Sequence, residues 1–133
     1  MRWRLLVGEA AILLAVARLL VGLLRLRHWR HLLGATSRVP SRGPAPSAQA
    51  LELARAVNRA DQRTALGCKC LHRALALHWM LQRRGWPGQL VIAILDPTRR
   101  GTSDDLHAWI EIGGEIVIGA TDQPHHPVAR FGS

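Results

Sequence analysis

The hydrophobic pattern of the chain changes period at two places, and each change marks a different kind of element. From Leu5 to Leu33 apolar residues dominate, and the spacing predicts one or two helices ending at Gly34. Ala35–Ser47 (ATSRVPSRGPAPS) breaks the pattern with prolines, a glycine and serines, the composition of a linker. Ser47 is a fitting N-cap for a helix over Ala48–Ala60, where Leu51, Ala54 and Val57 recur at helical spacing. A further helix is predicted over Cys70–Arg84, with Leu71, Ala74, Leu75, His78 and Leu81 on one face, Arg83 and Arg84 in its last turn, and Gly85 and Pro87 to stop it. Gln89–Asp96 (QLVIAILD) is apolar on both faces, as a central strand should be. Pro97–Asp105 reads as a polar loop. Leu106–Ile112 and Glu115–Gly119 then read as a β-hairpin around Gly113-Gly114, and Thr121–Ser133 as a proline-containing tail without period. Helices followed by consecutive antiparallel strands define an α+β domain.

Length and composition fit that pattern. The 133 residues hold one domain with a modest core, and 48% apolar with 20% charged residues describe a folded chain. The organisation expected is an N-terminal apolar helical segment over 1–34, a linker over 35–47 and a folded domain over 48–133. The net charge of +9 is concentrated at the start: residues 1–46 carry eight arginines against Glu9. With no tyrosine and one phenylalanine, the chain lacks the aromatic-studded basic stripe of a nucleic-acid binder, and no nucleic acid is expected.

Leu5–Leu24 is long enough to span a bilayer, but Glu9 and Arg18 interrupt it and are too far round the helix to pair with each other. No A-x-A-like cleavage site follows, so a signal peptide is not indicated. The segment is expected to pack on the domain or on a partner, with peripheral membrane contact as the alternative. Cys68 and Cys70, at C-x-C spacing, are too close for an easy disulfide, which points to the reducing cytoplasm.

Chemistry centres on Cys70. A thiol at a helix start is favoured as a thiolate by unpaired N–H groups and the helix dipole. A nearby imidazole and a carboxylate would complete an activated nucleophile. If Gly113-Gly114 is the hairpin turn, His107 lies opposite Ala120 and Trp109 opposite Ile118. Alternation then sets His107, Trp109, Glu111, Ile116, Ile118, Ala120 and Asp122 on one face. Asp122 would be diagonal to His107, about 7–8 Å away between backbones. Trp109 and Ile118 on that face would pack against a helix. If that helix carries Cys70, thiol, imidazole and carboxylate converge.

Cys70-Leu-His-Arg-Ala-Leu-Ala-Leu, the Gly85 stop, the apolar strand, His107-Ala-Trp-Ile-Glu-Ile-Gly-Gly and the closing Arg130-Phe131 together resemble the lasso-peptide leader peptidases, of the transglutaminase-like superfamily of cysteine peptidases. The resemblance runs over roughly Leu51–Phe131. It implies a transglutaminase-like, papain-like core: a nucleophile-bearing helix packed on a small antiparallel sheet that carries histidine and aspartate. It also implies Cys70 as nucleophile, His107 as general base and Asp122 as third member, with Asp105 the weaker candidate. Ala120 stands where an acidic residue is often found, and Leu106 replaces a common alanine. The implied activity is removal of the leader from a ribosomally made lasso-peptide precursor. A separate leader-recognition protein is the implied partner, since the chain has no room for such a domain before Leu51, and a macrolactam-forming cyclase would act next.

The remaining candidates read as structural. Cys68 is expected to be a small, partly buried neighbour, His72 a helix-surface residue and His78 a helix-face residue. His125 and His126 are expected in solvent, Glu111 and Glu115 as hairpin charges, and Arg25–Arg30 as a solvated helix face. Cys68, Cys70 and His72 are too local to cage a metal, and no phosphate-cradling glycine loop is present, so neither metal nor cofactor is expected. Two other functions fit the same fold: a non-catalytic scaffold subunit of a peptide-maturation complex, and an acyl transferase.

Overall fold

A computed structural model describes residues 2–23, 36–37, 44–64, 70–95, 106–119 and 125–132. The elements are α1 (Arg2–Leu23), β1 (Thr36–Ser37), α2 (Ala48–Arg63), α3 (Cys70–Arg84), β2 (Gln89–Leu95), β3 (Leu106–Ile112), β4 (Glu115–Ile118) and β5 (His125–Gly132). The strands form one antiparallel sheet in the order β1-β5-β2-β3-β4. Three helices and this sheet make the α+β domain that the pattern predicts.

α2 starts where its cap residue stands: Ser47 accepts a hydrogen bond from the Ala50 N–H at 3.1 Å. Its inner face is wider than Leu51, Ala54 and Val57. Ala50, Leu53, Ala54, Ala56, Val57 and Ala60 are buried, whereas Leu51 is 37% exposed. Small alanines let α2 sit close to α1 and α3. α3 is buried nearly all round, including His72 and His78, so the surface position expected for His72 is corrected. It is covered on two sides, since α3 packs against the other helices on one and against β3 and β2 on the other.

α1 joins the same core through Leu6, Ala10, Leu14 and Ala17. Glu9 has partners after all, across space rather than along its own helix. It accepts from Arg83 Nη1 at 2.7 Å and from Arg84 Nη1 and Nη2 at 3.0 and 2.8 Å. This fork ties α1 to the last turn of α3. The Arg84 hydrogen bond holds the Glu9 carboxyl below the usual carboxylate range, against the opposing pull of burial. No described helix is long and apolar enough to cross a membrane.

The sheet departs from the sequence reading in three places. The tail is a strand: β5 lies beside β2, with Leu90 opposite Phe131 and Ile92 opposite Ala129. Pro127 is tolerated because it sits at a bulge, where the register shifts between Ile92 and Ala93. Part of the linker is also a strand, since Thr36 and Ser37 pair with Phe131 and Arg130.

The third departure is in the hairpin. Gly113 and Gly114 form its turn, with φ of 58° and 85°. The pairing runs Ile112 to Glu115 and Glu111 to Ile116, then slips so that Ile110 faces Ile118. Val117 is the extra residue. Ile118 therefore lies in the core under the helices, while Trp109 packs with Val91 and Ala93 on the opposite face of the sheet. Trp109 and Ile118 do not share a face, and Trp109 does not pack on α3.

Candidate active site

Cys70 is the first residue of α3, a free thiol, half-buried. No acidic residue stands in the first turn of α3. The first turn of α3 thus adds no carboxylate of its own at a helix start, where backbone N–H groups lack intrahelical partners.

His107 is the second residue of β3. The direction of α3 sets how the two residues relate. A Cβ added at Gly88 would lie 2.6 Å from Leu81 Cδ1 and 3.8 Å from Ile112 Cγ1, so the end of α3 sits over the end of β3. The chain reverses between α3 and β2 and again between β2 and β3, so β3 runs the same way as α3. A 15-residue helix spans about 22 Å and a seven-residue strand about 23 Å. The start of α3 and the start of β3 thus share one end of the helix–sheet layer. Cys70 and His107 are brought to that end together, but not onto one face. His107 pairs with Ala93, of the Trp109 cluster, and leaves β3 on the side turned away from α3.

His107 is held from that side. Its Nε2 is 2.6 Å from the carbonyl oxygen of Gly119. A carbonyl only accepts, so Nε2 carries the ring proton and donates it, and the lone pair of the neutral ring is on Nδ1. Gly119 can come this close because it has no side chain. A Cβ there would lie 2.5 Å from the Ala108 carbonyl oxygen, and its φ is +85°. The sequence reading gave Gly119 no role; a glycine closing a strand is a weak signal without the bulge that turns it toward β3.

Below His107 the same face carries a polar ladder. The rings of His107 and Trp109 lie 6.0 Å apart, tilted at 43°. Trp109 Nε1 donates to Glu111 Oε1 at 2.8 Å, and Arg130 Nη1 donates to Glu111 Oε2 at 2.9 Å and to Gln89 Oε1 at 3.0 Å. The Glu111 and Arg130 side chains are only 13% and 14% exposed. Glu111 is therefore not a simple hairpin charge but the hub of a nearly buried network that fixes Trp109 beside His107. The alternation of β3 pointed to this face. The Arg130 partner was hidden because β5 has no legible period.

Asp122, Asp105 and Cys68 lie outside the described residues. With Val117 bulged, counting alternate residues from Ile116 no longer leads to Asp122 on the His107 face. Among the described residues, no three His, Cys, Asp or Glu side chains cluster closely enough to hold a metal ion.

A family model described as the transglutaminase-like superfamily matches residues 12–131, nearly the whole chain. The chain belongs to the transglutaminase-like superfamily. That superfamily includes cysteine peptidases and acyltransferases, and its match begins inside α1, so α1 is part of the matched region. Searches of curated proteins and of solved structures gave no match. In this transglutaminase-like chain Cys70 lies inside the matched region, at the first position of α3.

Proposed function

We propose that this transglutaminase-like protein is a cysteine peptidase that removes the leader from a ribosomally made lasso-peptide precursor, working with a separate leader-recognition protein. The reading rests on the free Cys70 at the start of α3, at the same end of the layer as a His107 whose Nε2 is tied to the Gly119 carbonyl. The similarity of Cys70-Leu-His-Arg and His107-Ala-Trp to the leader peptidases supplies the substrate class.

This mechanism requires the Cys70 thiol, at the start of α3, and His107 Nδ1, at the start of β3, to meet around the shared end of the sheet; Nδ1 then takes the thiol proton, and the sulfur attacks the carbonyl carbon at the leader–core junction. The tetrahedral intermediate collapses as His107 returns the proton to the departing core amine, leaving the leader as a thioester on Cys70. Water, deprotonated by the same nitrogen, releases the leader and restores the thiol. Asp122 is the proposed third member, stabilising the imidazolium together with the Gly119 carbonyl. The cyclase that closes the macrolactam receives the freed core. The reaction takes place in the cytoplasm and needs no metal or cofactor.

Incubating the protein, its recognition partner and a precursor peptide is expected to release leader and core, and Cys70→Ala to release neither. Release at the wild-type rate by that variant would refute the proposal. Mass spectrometry separates hydrolysis from acyl transfer, since a transferase would deliver a leader amide of an added amine rather than the free acid. A folded protein that cleaves nothing, with a thiol no more reactive than free cysteine, would instead fit a scaffold subunit.

A further inference from the structure

α1 is apolar on two opposite sides. Leu6, Ala10, Leu14 and Ala17 are inside the core, whereas Leu5, Ile12, Val16, Leu19 and Leu23 are 39–77% exposed. At 3.6 residues per turn the exposed five form one continuous stripe, about 27 Å long, on the side away from the core. A helix that closes a core on one face is normally polar on the other, and this one is not.

Among the described residues the charges beside the stripe are basic in excess: Arg4 is exposed on one side, and toward the other lie Arg2 and Arg83, whose side chains stay 70% and 64% exposed although Arg2 is 3.8 Å from Glu52 and Arg83 is bonded to Glu9. Glu9, the one acidic residue of α1, is taken up by Arg83 and Arg84. The face therefore presents an apolar strip between arginines. A second copy of the chain would set this cationic strip against itself. An anionic surface complements both parts of it.

We propose that this face of α1 lies on an anionic lipid bilayer, with the apolar stripe at the headgroup–acyl boundary and the arginine stems reaching out to lipid phosphates. The helix lies in the interface rather than crossing it, in keeping with its lack of a spanning apolar length. The docking is independent of the peptidase activity proposed above.

The test is co-sedimentation of the full chain with vesicles of phosphatidylglycerol and phosphatidylcholine, against vesicles of phosphatidylcholine alone, at low and high salt. Binding is expected to the anionic vesicles only and to weaken with salt. Removing one arginine by Arg4→Gln is expected to lower partitioning roughly fivefold. Ile12→Gln with Leu19→Gln should lower it by about tenfold or more, with circular dichroism and melting temperature unchanged, because both side chains are outside the core. Absence of binding to anionic vesicles would overturn the proposal, as would unaltered binding by the double variant. It would equally be overturned by a lipid-free dimer that the double variant abolishes, which would make the stripe a protein interface.

Discussion

The two faces of the sheet are built from the same strands and do different work. Toward the helices, Leu90, Ile92, Ala108, Ile110, Ile112 and Phe131 join Leu75, Leu77, Met80 and Leu81 in a core that is apolar apart from the buried His72 and His78 of α3. On the other face, among the described residues, Val91, Ala93 and Trp109 form an apolar cluster, and beside it stand His107, Glu111, Arg130 and Gln89. The first face holds the domain together. The second holds one imidazole in a fixed orientation. Alternation along β3 separates the roles residue by residue: Ala108 and Ile110 belong to packing, His107, Trp109 and Glu111 to the candidate site.

Substitutions on the two faces should therefore fail differently. Leu77→Ala, at a fully buried position of α3, is expected to lower stability by about 2–5 kcal/mol in a denaturant titration. Any loss of activity should follow the loss of folded protein. Glu111→Gln removes one partner of a nearly buried ion pair and is expected to lower stability by about 2–3 kcal/mol, discounted for residual solvent contact. Unlike the core change, it should also reduce the activity of protein that remains folded, because Trp109 is freed beside His107. Equal specific activity in the two variants would abolish the distinction between the faces.

Gly119→Ala sharpens the comparison at one atom. The left-handed backbone and the contact with Ala108 predict a loss of about 1–3 kcal/mol, and displacement of the carbonyl from His107 predicts a fall in kcat of about 10²-fold in the protein that stays folded. The pH–rate profile should move with it, which a purely structural defect would not cause.

The smallest effect is at the far end of α3. Glu9→Gln is expected to lower stability by about 1 kcal/mol at neutral pH without altering activity. Since the folded-state pKa of Glu9 lies below its ordinary value of 4.5, its contribution is present above the unfolded-state pKa and is lost as the pH falls through the lower, folded value. Melting curves of wild type and variant should converge in acid. A gap that persists there would contradict the ion-pair assignment.

How far the sequence discloses all this depends on local chemistry. α3 was readable to its ends because Gly85 and Pro87 stop it, and the hairpin because two glycines supply the positive φ of its turn. The register was not readable. Ile116, Val117 and Ile118 are all apolar, so no alternation reveals that Val117 is bulged, and a one-residue slip exchanges the faces. β5 was missed because Pro127 argues against an inner strand unless its bulge is known. That strand carries Arg130, so the network around Glu111 was hidden with it. Cys70 and His107 stood out by residue type and motif, whereas Gly119 acts through its backbone, which leaves almost no mark in a sequence.

The pairing of Cys70 with His107 is most directly tested by alkylation. In a Cys68→Ala background, the rate of Cys70 reaction with iodoacetamide is measured across pH, with and without His107→Ala. Cys70 is expected to react at neutral pH faster than a free thiol of pKa about 8.5, and His107→Ala to return it to free-thiol behaviour. A rate equal to that of a free thiol, unchanged by His107→Ala, would show that the two residues sharing this end of the layer do not work together.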